Sequence, residues 1–564
     1  MNMKNKRQIA SQLHKVSIFG FFWFSLWSYS YGESSASVSS SIAALENITE
    51  YNLVDDFGAI GDGMTDNFSA WQAALDASIL EPIRLIIPGG TYYSKGAGNL
   101  ELWPATSKGI HIKGVGNPVI LPENNRYNTW ENYFMRLQMD PSGNAGVEIE
   151  GIIVDGSKNP QDMYFWMEDR NLTINDIPLQ RGFRIENALE VSVHDSQFRH
   201  MYGGYCVHLG NYKKVDLARI RVDDVGGDDK TDSFGMIFYL GGHQTDAVVT
   251  IDNVYANGKV SPRNPKWTAW IGVVLENGSI QSSNQDAWLL DKNTTVTVTN
   301  SEFMDFETVF HIESLAGNVY WNVDNVKARA KDYMIAAGVK GSIRERTNGL
   351  VMEMTPWGRN DIISGLYYTE KEQADNISGK NVFSMFNSVI TAIEVEGART
   401  MPVMASYGDY VVGFYNHVTF NNVPDKLLLN GSGKFVDCEI NLGINNNRTK
   451  DNLHEFSDPE VQYYDYVRTG FNKFGAWKEA KEGNVPDPYD RYSWLTAPAL
   501  AIHENIVTVV GPPDMTLLFN KLYINGKEVP FNDRQATLTE FTGEVSLKAT
   551  TLDGAQVIRS TINR

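Results

Sequence analysis

The sequence predicts an all-β chain: a parallel β-helix (solenoid) with an N-terminal capping helix and a small C-terminal β module. Three observations predict it. A five-residue strand pattern recurs through the middle of the chain, a second strand pattern closed by Asn or Asp follows each copy, and a glycine-rich segment with one helix precedes them all.

The elements follow in chain order. Lys4, Lys6, Arg7 and Lys15 precede the apolar run from Val16 to Trp27, and the small residues Ser30 and Gly32 stand where a signal peptidase cuts. This is a secretory leader pattern, shorter than the ~20 residues a membrane span needs. Residues 1–32 are expected to direct export to an extracellular or periplasmic destination, with no stable membrane insertion. Residues 33–50, rich in serine, read as a flexible linker.

Next comes Tyr51-Asn-Leu-Val-Asp-Asp-Phe-Gly-Ala-Ile-Gly-Asp-Gly-Met-Thr-Asp-Asn67. Leu53, Val54 and Phe57 predict a short strand, the glycines at 58, 61 and 63 a loop, and Thr65 and Asp66 oxygens that cap a helix. The helix is expected from Phe68 to Ala77, because Phe68, Trp71, Ala74 and Leu75 fall on one stripe. A strand over Leu85–Ile87 then ends at Pro88-Gly-Gly-Thr-Tyr92. Stacked parallel coils leave an apolar core and unpaired strand groups open at the end, so this helix reads as a plug. Asp55, Asp56, Asp62 and Asp66 read as turn and cap residues.

The repeat begins with Phe183-Arg-Ile-Glu-Asn187 and recurs as Val207-His-Leu-Gly-Asn211, Phe238-Tyr-Leu-Gly-Gly242, Val273-Val-Leu-Glu-Asn277 and Phe310-His-Ile-Glu-Ser314. Each alternates with the period of two that marks a strand. Aligning Ile185, Leu209, Leu240, Leu275 and Ile312 gives steps of 24, 31, 35 and 37 residues, within the ~20–50 of solenoid repeats. The unequal steps place insertions in the turns. The second strands are Val191–Asp195, Leu217–Asp223, Val248–Asn253, Val296–Asn300 and Tyr320–Asn325, each closed by a short polar side chain suited to a sharp turn. Val418–Val423 and Phe435–Ile440 continue the pattern to about residue 445.

If the aligned apolar residues point inward, their neighbours form two outward columns. One is Arg184, His208, Tyr239, Val274 and His311; the other is Glu186, Gly210, Gly241, Glu276 and Glu313. Such a face, with glycines leaving space beside the polar groups, suits a groove for an extended polymer. His311 and Glu313, two apart on one strand, share a side. A carboxyl there can protonate a glycosidic oxygen while a second carboxylate activates water or attacks the sugar. The second is Glu276, one coil away, or the acidic loop holding Asp228 and Asp229. With His208, these are the candidate catalytic residues. Arg184, Tyr239 and His243 are candidate substrate contacts, as are Trp130 and Trp166 in two aromatic segments, 127–134 and 163–167. Neighbouring coils lie ~4.8 Å apart, so carboxyl groups one or two coils apart can reach the spacing of either retaining or inverting hydrolysis.

The chain carries a net charge of −19, and loss of the four leader cations would leave it more acidic. Nucleic-acid binding is not expected, and a polyanion would need a locally basic groove. Cys206 and Cys438 are the only cysteines, so no disulfide framework holds the fold; the two can pair or stand as buried thiols.

The segment from Tyr51 to Tyr92 resembles the opening of pectate-lyase-like right-handed parallel β-helix proteins, in which a short helix plugs the first coil. That family includes polygalacturonases, polysaccharide lyases, alginate epimerases, iota-carrageenases and phage tailspikes. The resemblance implies a right-handed coil and a carbohydrate ligand. Gly227-Asp228-Asp229 followed by Gly241-Gly-His243 is similar to the polygalacturonase Asp-Asp pair and later Gly-His-Gly, although Gln244 follows His243 here. Iota-carrageenases open with a similar tyrosine-to-glycine segment, which implies a sulfated galactan as one substrate class; Glu307-Thr-Val309 is the nearest approach to their Glu-Thr-Asp triplet. The alginate epimerase Asp-Pro-His element is absent.

The expectation is a secreted polysaccharide-degrading enzyme, with hydrolysis by paired carboxylates first. A lyase removing the proton alpha to a uronate is second, its base drawn from Lys340, Arg344, Arg346 or His200, with Ca²⁺ held by the Asp228–Asp229 loop. A non-catalytic carbohydrate-binding β-helix is third. Hydrolysis requires no cofactor. The expected divisions are 1–32 leader, 33–50 linker, 51–460 β-helix, 461–499 irregular or helical cap, and 500–564 β module, where Asn525-Gly526 predicts a hairpin turn.

Overall fold

In the structure, a computed structural model, parallel strands wind from Thr49–Asn52 to Tyr464–Val467. It describes the coil strands and their short turns from residue 48 to residue 455, that last strand, and antiparallel strands between Ala499 and Asn563. Residues 1–47 and several segments between strands, among them 124–132, 159–180, 227–234, 242–245, 259–268 and 277–292, lie outside the described residues. The leader, the linker as far as residue 47, Trp130, Trp166, Asp228, Asp229, His243 and the candidate Ca²⁺ loop therefore lie outside them too, whereas Thr49 and Glu50, expected in the linker, begin the first strand.

Every long-range pairing between coil strands is parallel, in a 14-stranded sheet and a 21-stranded sheet. The larger sheet is two columns joined by two long strands, Glu302–Glu313 and Lys327–Ala337, so a coil has three sides rather than the two that the sequence pattern suggests. The third side was concealed in Leu217–Asp223, read from sequence as one strand. It is two, Lys214–Ala218 and Arg221–Val225, separated by Arg219 at φ 53°.

That corner recurs coil after coil. Asp195, Arg219, Asn253, Asn300, Asn325, Asn387 and His417 hold the left-handed conformation there, as do Gly151 and Gly349. Asn and Asp tolerate this region best among residues with a Cβ, because their short side chains bond locally. They also bond along the stack: Asn325 donates to Asn300 Oδ1 at 2.8 Å, Asn348 to Asp324 Oδ1 at 3.0 Å, and Asn387 to Asn348 Oδ1 at 2.9 Å.

The aligned apolar residues meet as expected. Ile185 pairs with Leu209, Leu209 with Leu240, Leu240 with Leu275 and Leu275 with Ile312, and each is buried in one continuous core. Each such side chain contributes about 1.5–3 kcal/mol of burial. At the N-terminal end the helix runs Phe68–Leu80, three residues beyond its expected end, and buries Trp71, Ala74 and Leu75. Asp66 Oδ1 accepts from the Phe68 amide at 3.1 Å, whereas Asn67 turns to Ile60, accepting from its amide at 2.7 Å and donating to its carbonyl at 3.0 Å. The strand expected at Leu53–Phe57 is instead Thr49–Asn52, paired with Ile83–Pro88; Leu53 enters the core from a turn.

The other end of the ladder also passes its expected limit, since Tyr464–Val467 pairs with Ser432–Val436. Beyond it, Leu517–Ile524, Lys527–Val529, Glu544–Thr551 and Val557–Asn563 form one antiparallel sheet, and Ala499–His503, Ile506–Val510 and Gln535–Thr537 another. Cys206 and Cys438 are both free and buried. Among the described residues, no helix is long and apolar enough to cross a membrane.

Candidate active site

The strands Tyr133–Gln138, Arg181–Glu186, Val207–Gly210, Met236–Gly241, Ala269–Glu276 and Glu302–Glu313 lie side by side on one face of the coil. Inward pointing by the Ile185–Ile312 ladder forces the residues on either side outward. Arg136, Arg184, His208, Tyr239, Val274 and His311 stand in register across this face, and beside them Gln138, Glu186, Gly210, Gly241, Glu276 and Glu313.

The two glycines have distinct uses. A Cβ on Gly210 would meet Glu186 Oε2 at 2.3 Å, and one on Gly241 would meet Tyr239 Cε1 at 2.6 Å. Gly210 thus leaves room for the Glu186 carboxylate, which accepts from Arg184 Nε at 2.6 Å. Gly241 leaves room for the Tyr239 ring, whose hydroxyl donates to Glu276 Oε2 in a short hydrogen bond.

Glu276 and Glu313 occupy one register position on neighbouring strands, ~4.8 Å apart at the backbone. Both are half-buried. Burial, and then the neighbouring Glu313 charge, pushes the Glu276 carboxyl up to about 8, against the opposing pull of the Tyr239 hydrogen bond. Burial raises Glu313 as well. The Glu313 charge raises Glu276, whereas burial alone raises Glu313, so Glu313 is the member that ionises first. His311 Nε2 lies 3.8 Å from Glu313 Oε2, and the Trp270 ring stands edge-on to His311 with centroids 6.3 Å apart.

Towards the N-terminus the face becomes aromatic and cationic. His208 Nδ1 lies 2.5 Å from Tyr133 Oη, and its ring packs against Tyr239 and Tyr205 with centroids 4.4 and 5.1 Å apart. Arg181 stacks on Tyr205 and Tyr133 at 4.8 and 5.3 Å. Burial first, then Arg184, Arg181 and Arg136, holds the His208 imidazole well below its ordinary value. His208 is therefore neutral near pH 7, and it stands two strands from Glu276.

The face thus gathers Arg184, His208, Tyr239, Glu276, His311 and Glu313, all named from sequence. Of the alternative bases, Lys340 lies outside the described residues and the others do not join them. Arg344 reaches Tyr320 and Arg346 reaches Asp324 on the 14-stranded sheet, while His200 bonds Asp155 at 2.8 Å on the neighbouring column. Glu307 is buried beside Lys331, 3.8 Å away. Sequence reasoning missed Trp270, Tyr205 and Arg181. Trp270 lies six residues before Glu276 on the same strand, so continuing the outward alternation back from Glu276 would have found it. Tyr205 precedes its strand and carried no periodic signal. Met236, Ile271 and Val274 form an apolar cluster separate from the core, with Tyr205, Tyr239 and Trp270 packed against it.

A three-sided parallel coil, plugged by a helix at its first turn, decides the architecture. The chain is a right-handed parallel β-helix. No family model and no curated protein matches it. Among solved structures, this β-helix is similar to the Streptococcus pneumoniae surface protein and adhesin PfbA, with 14% identity and a TM-score of 0.44 over 76% of this chain and 100% of that one. It is similar to the catalytic unit of a GH87 alpha-1,3-glucanase from Streptomyces thermodiastaticus, with 10% identity and a TM-score of 0.36 over 77% and 69%. It is also similar to an iota-carrageenase of family GH82 from A. fortis, with 11% identity and a TM-score of 0.34 over 81% and 97%.

Proposed function

We propose that this β-helix hydrolyses an extended polysaccharide, with Glu276 as the general acid and Glu313 as the second carboxylate of the pair. The observation that carries this reading is the pair itself: two carboxyl groups in register on one face, one of them held protonated near neutral pH. Glu276 gives its proton to the glycosidic oxygen as the bond to the leaving sugar breaks. Glu313 either takes the proton of the water that adds at the anomeric carbon, or attacks that carbon itself and is released when water adds and yields its proton to Glu276. An acid of this kind works best when it keeps its proton up to the operating pH. Tyr205 and Trp270, half-buried on either side of Tyr239, supply ring surface along the coil axis, where the apolar faces of successive sugars can lie. The fold does not choose the reaction, since the similar structures include an adhesin as well as hydrolases. The reading therefore rests on these residues.

The test is incubation with neutral, uronate and sulfated polysaccharides while reducing ends and the ultraviolet absorbance of unsaturated ends are followed together. New reducing ends without absorbance, lost by 10²–10⁴-fold in Glu276→Gln and Glu313→Gln, are expected. A parallel rise in absorbance would replace hydrolysis by elimination. Binding without cleavage of any substrate would leave a carbohydrate-binding protein.

A further inference from the structure

Tyr239 was read from sequence as a substrate contact, but its hydroxyl is turned to Glu276 Oε2. The ring reaches across from the preceding strand because position 241 has no side chain, and any Cβ there would strike it at Cε1. On its other side the ring is held by His208 and Tyr205, with centroids 4.4 and 5.1 Å away. Val274, in register with Tyr239 on the next strand, is apolar and offers the hydroxyl no rival acceptor. Among the described residues, the groups facing Glu276 are thus Tyr239 from the strand before, Glu313 and His311 from the strand after, and Tyr205 from the turn ahead of Val207.

Resting on the hydrolytic reading of Glu276, we infer that Tyr239 is a positioning residue: its O–H occupies Oε2 and so leaves the acidic proton on Oε1, and Gly241 is the residue that permits this. A carboxyl with one oxygen fixed as acceptor cannot present its proton from either oxygen at random. The orientation of the acid is then set before the sugar arrives, which is what a general acid gains from a preorganised partner. The same hydrogen bond favours the ionised carboxylate, and so tempers the rise that burial and Glu313 impose.

The experiment needs no substrate. The infrared carbonyl band of protonated Glu276, identified by its loss in Glu276→Gln, is titrated in the wild-type protein, in Tyr239→Phe and in Gly241→Ala. The wild-type band is expected to disappear with a midpoint near 8. Removing the donor in Tyr239→Phe moves that midpoint upward, by about one to two pH units for one hydrogen bond to a charged group. Gly241→Ala keeps the hydroxyl but displaces the ring, so it moves the midpoint in the same direction. Should Tyr239→Phe fail to fold by circular dichroism, Gly241→Ala decides alone. An unchanged midpoint, or a downward one, in a folded variant overturns the assignment. Where cleavage is seen but the midpoint stays fixed, only the positioning role falls. Where the midpoint moves but no polysaccharide is cut, the hydrolytic reading falls and the Tyr239–Glu276 geometry stands.

Discussion

Glu345 is fully buried within the coil, in register between Trp321 and Phe383. The Ser384 amide and the Tyr367 hydroxyl each donate to Oε2 at 3.0 Å, Thr347 Oγ1 bonds Oε1, and Tyr333 Oη lies 2.6 Å from Thr347 Oγ1. Burial outweighs these hydrogen bonds and the Arg346 charge, pushing the carboxyl from 4.5 up to about 8. A group whose folded value is raised stabilises the fold fully below its unfolded value, and that contribution is lost as pH climbs towards the folded value. Each tenfold difference in proton affinity is worth about 1.4 kcal/mol, so roughly 4–5 kcal/mol of stability drains away between about pH 4.5 and 8. Glu345→Gln mimics the protonated acid: the carbonyl oxygen keeps both Oε2 donors, and the amide nitrogen donates to Thr347. Urea midpoints followed by far-ultraviolet circular dichroism across pH 5 to 8 should fall in the wild type and fall much less in Glu345→Gln. The variant should be the more stable of the two at pH 8. Parallel curves for the two proteins would refute the reasoning, because the other titrating groups are common to both.

Three further predictions concern the scaffold. A Cβ at Gly182 would meet the Cys206 carbonyl oxygen at 2.2 Å, whereas at Gly210 it meets only the movable end of Glu186. Gly182→Ala should therefore cost about 1–3 kcal/mol by chemical denaturation and Gly210→Ala less than about 1. Asn300→Ala gives up a left-handed preference together with the bonds to Asp252 at 3.0 Å and Asn325 at 2.8 Å. A loss of about 1–2 kcal/mol is expected, and an unchanged urea midpoint would contradict the corner ladder. Finally, Cys206 and Cys438 are buried, and burial raises the Cys206 thiol. Neither should react with a thiol reagent until denaturant is added, and two thiols should then be counted without prior reduction.

What the sequence revealed follows from its periods. Alternation of apolar residues fixed the register of Ile185, Leu209, Leu240, Leu275 and Ile312, and with it the two outward columns, because a one-residue slip would expose the whole inner row. The third side of the coil was not legible: a strand broken by a left-handed residue at Arg219 leaves the same apolar spacing as an unbroken one. In the site, adjacency was readable but partnership was not. Nothing in the spacing of Tyr239 and Glu276 distinguishes a ring aimed at a sugar from one aimed at a carboxyl; the space at Gly241 decides it. Tyr205 joins the face from outside any strand, where no period reaches.

The unequal steps between coils carry an evolutionary consequence. From Ile185 to Ile312 successive repeats lengthen from 24 to 37 residues, yet the paired positions never leave register. Growth has been absorbed by the turns, and closing a longer turn costs only logarithmically more entropy. The catalytic candidates sit on strands, whereas the added residues fall between strands. Substrate choice can therefore be rewritten by insertion while the Glu276–Glu313 geometry is inherited intact, so relatives of this chain should diverge in what they recognise sooner than in how they act.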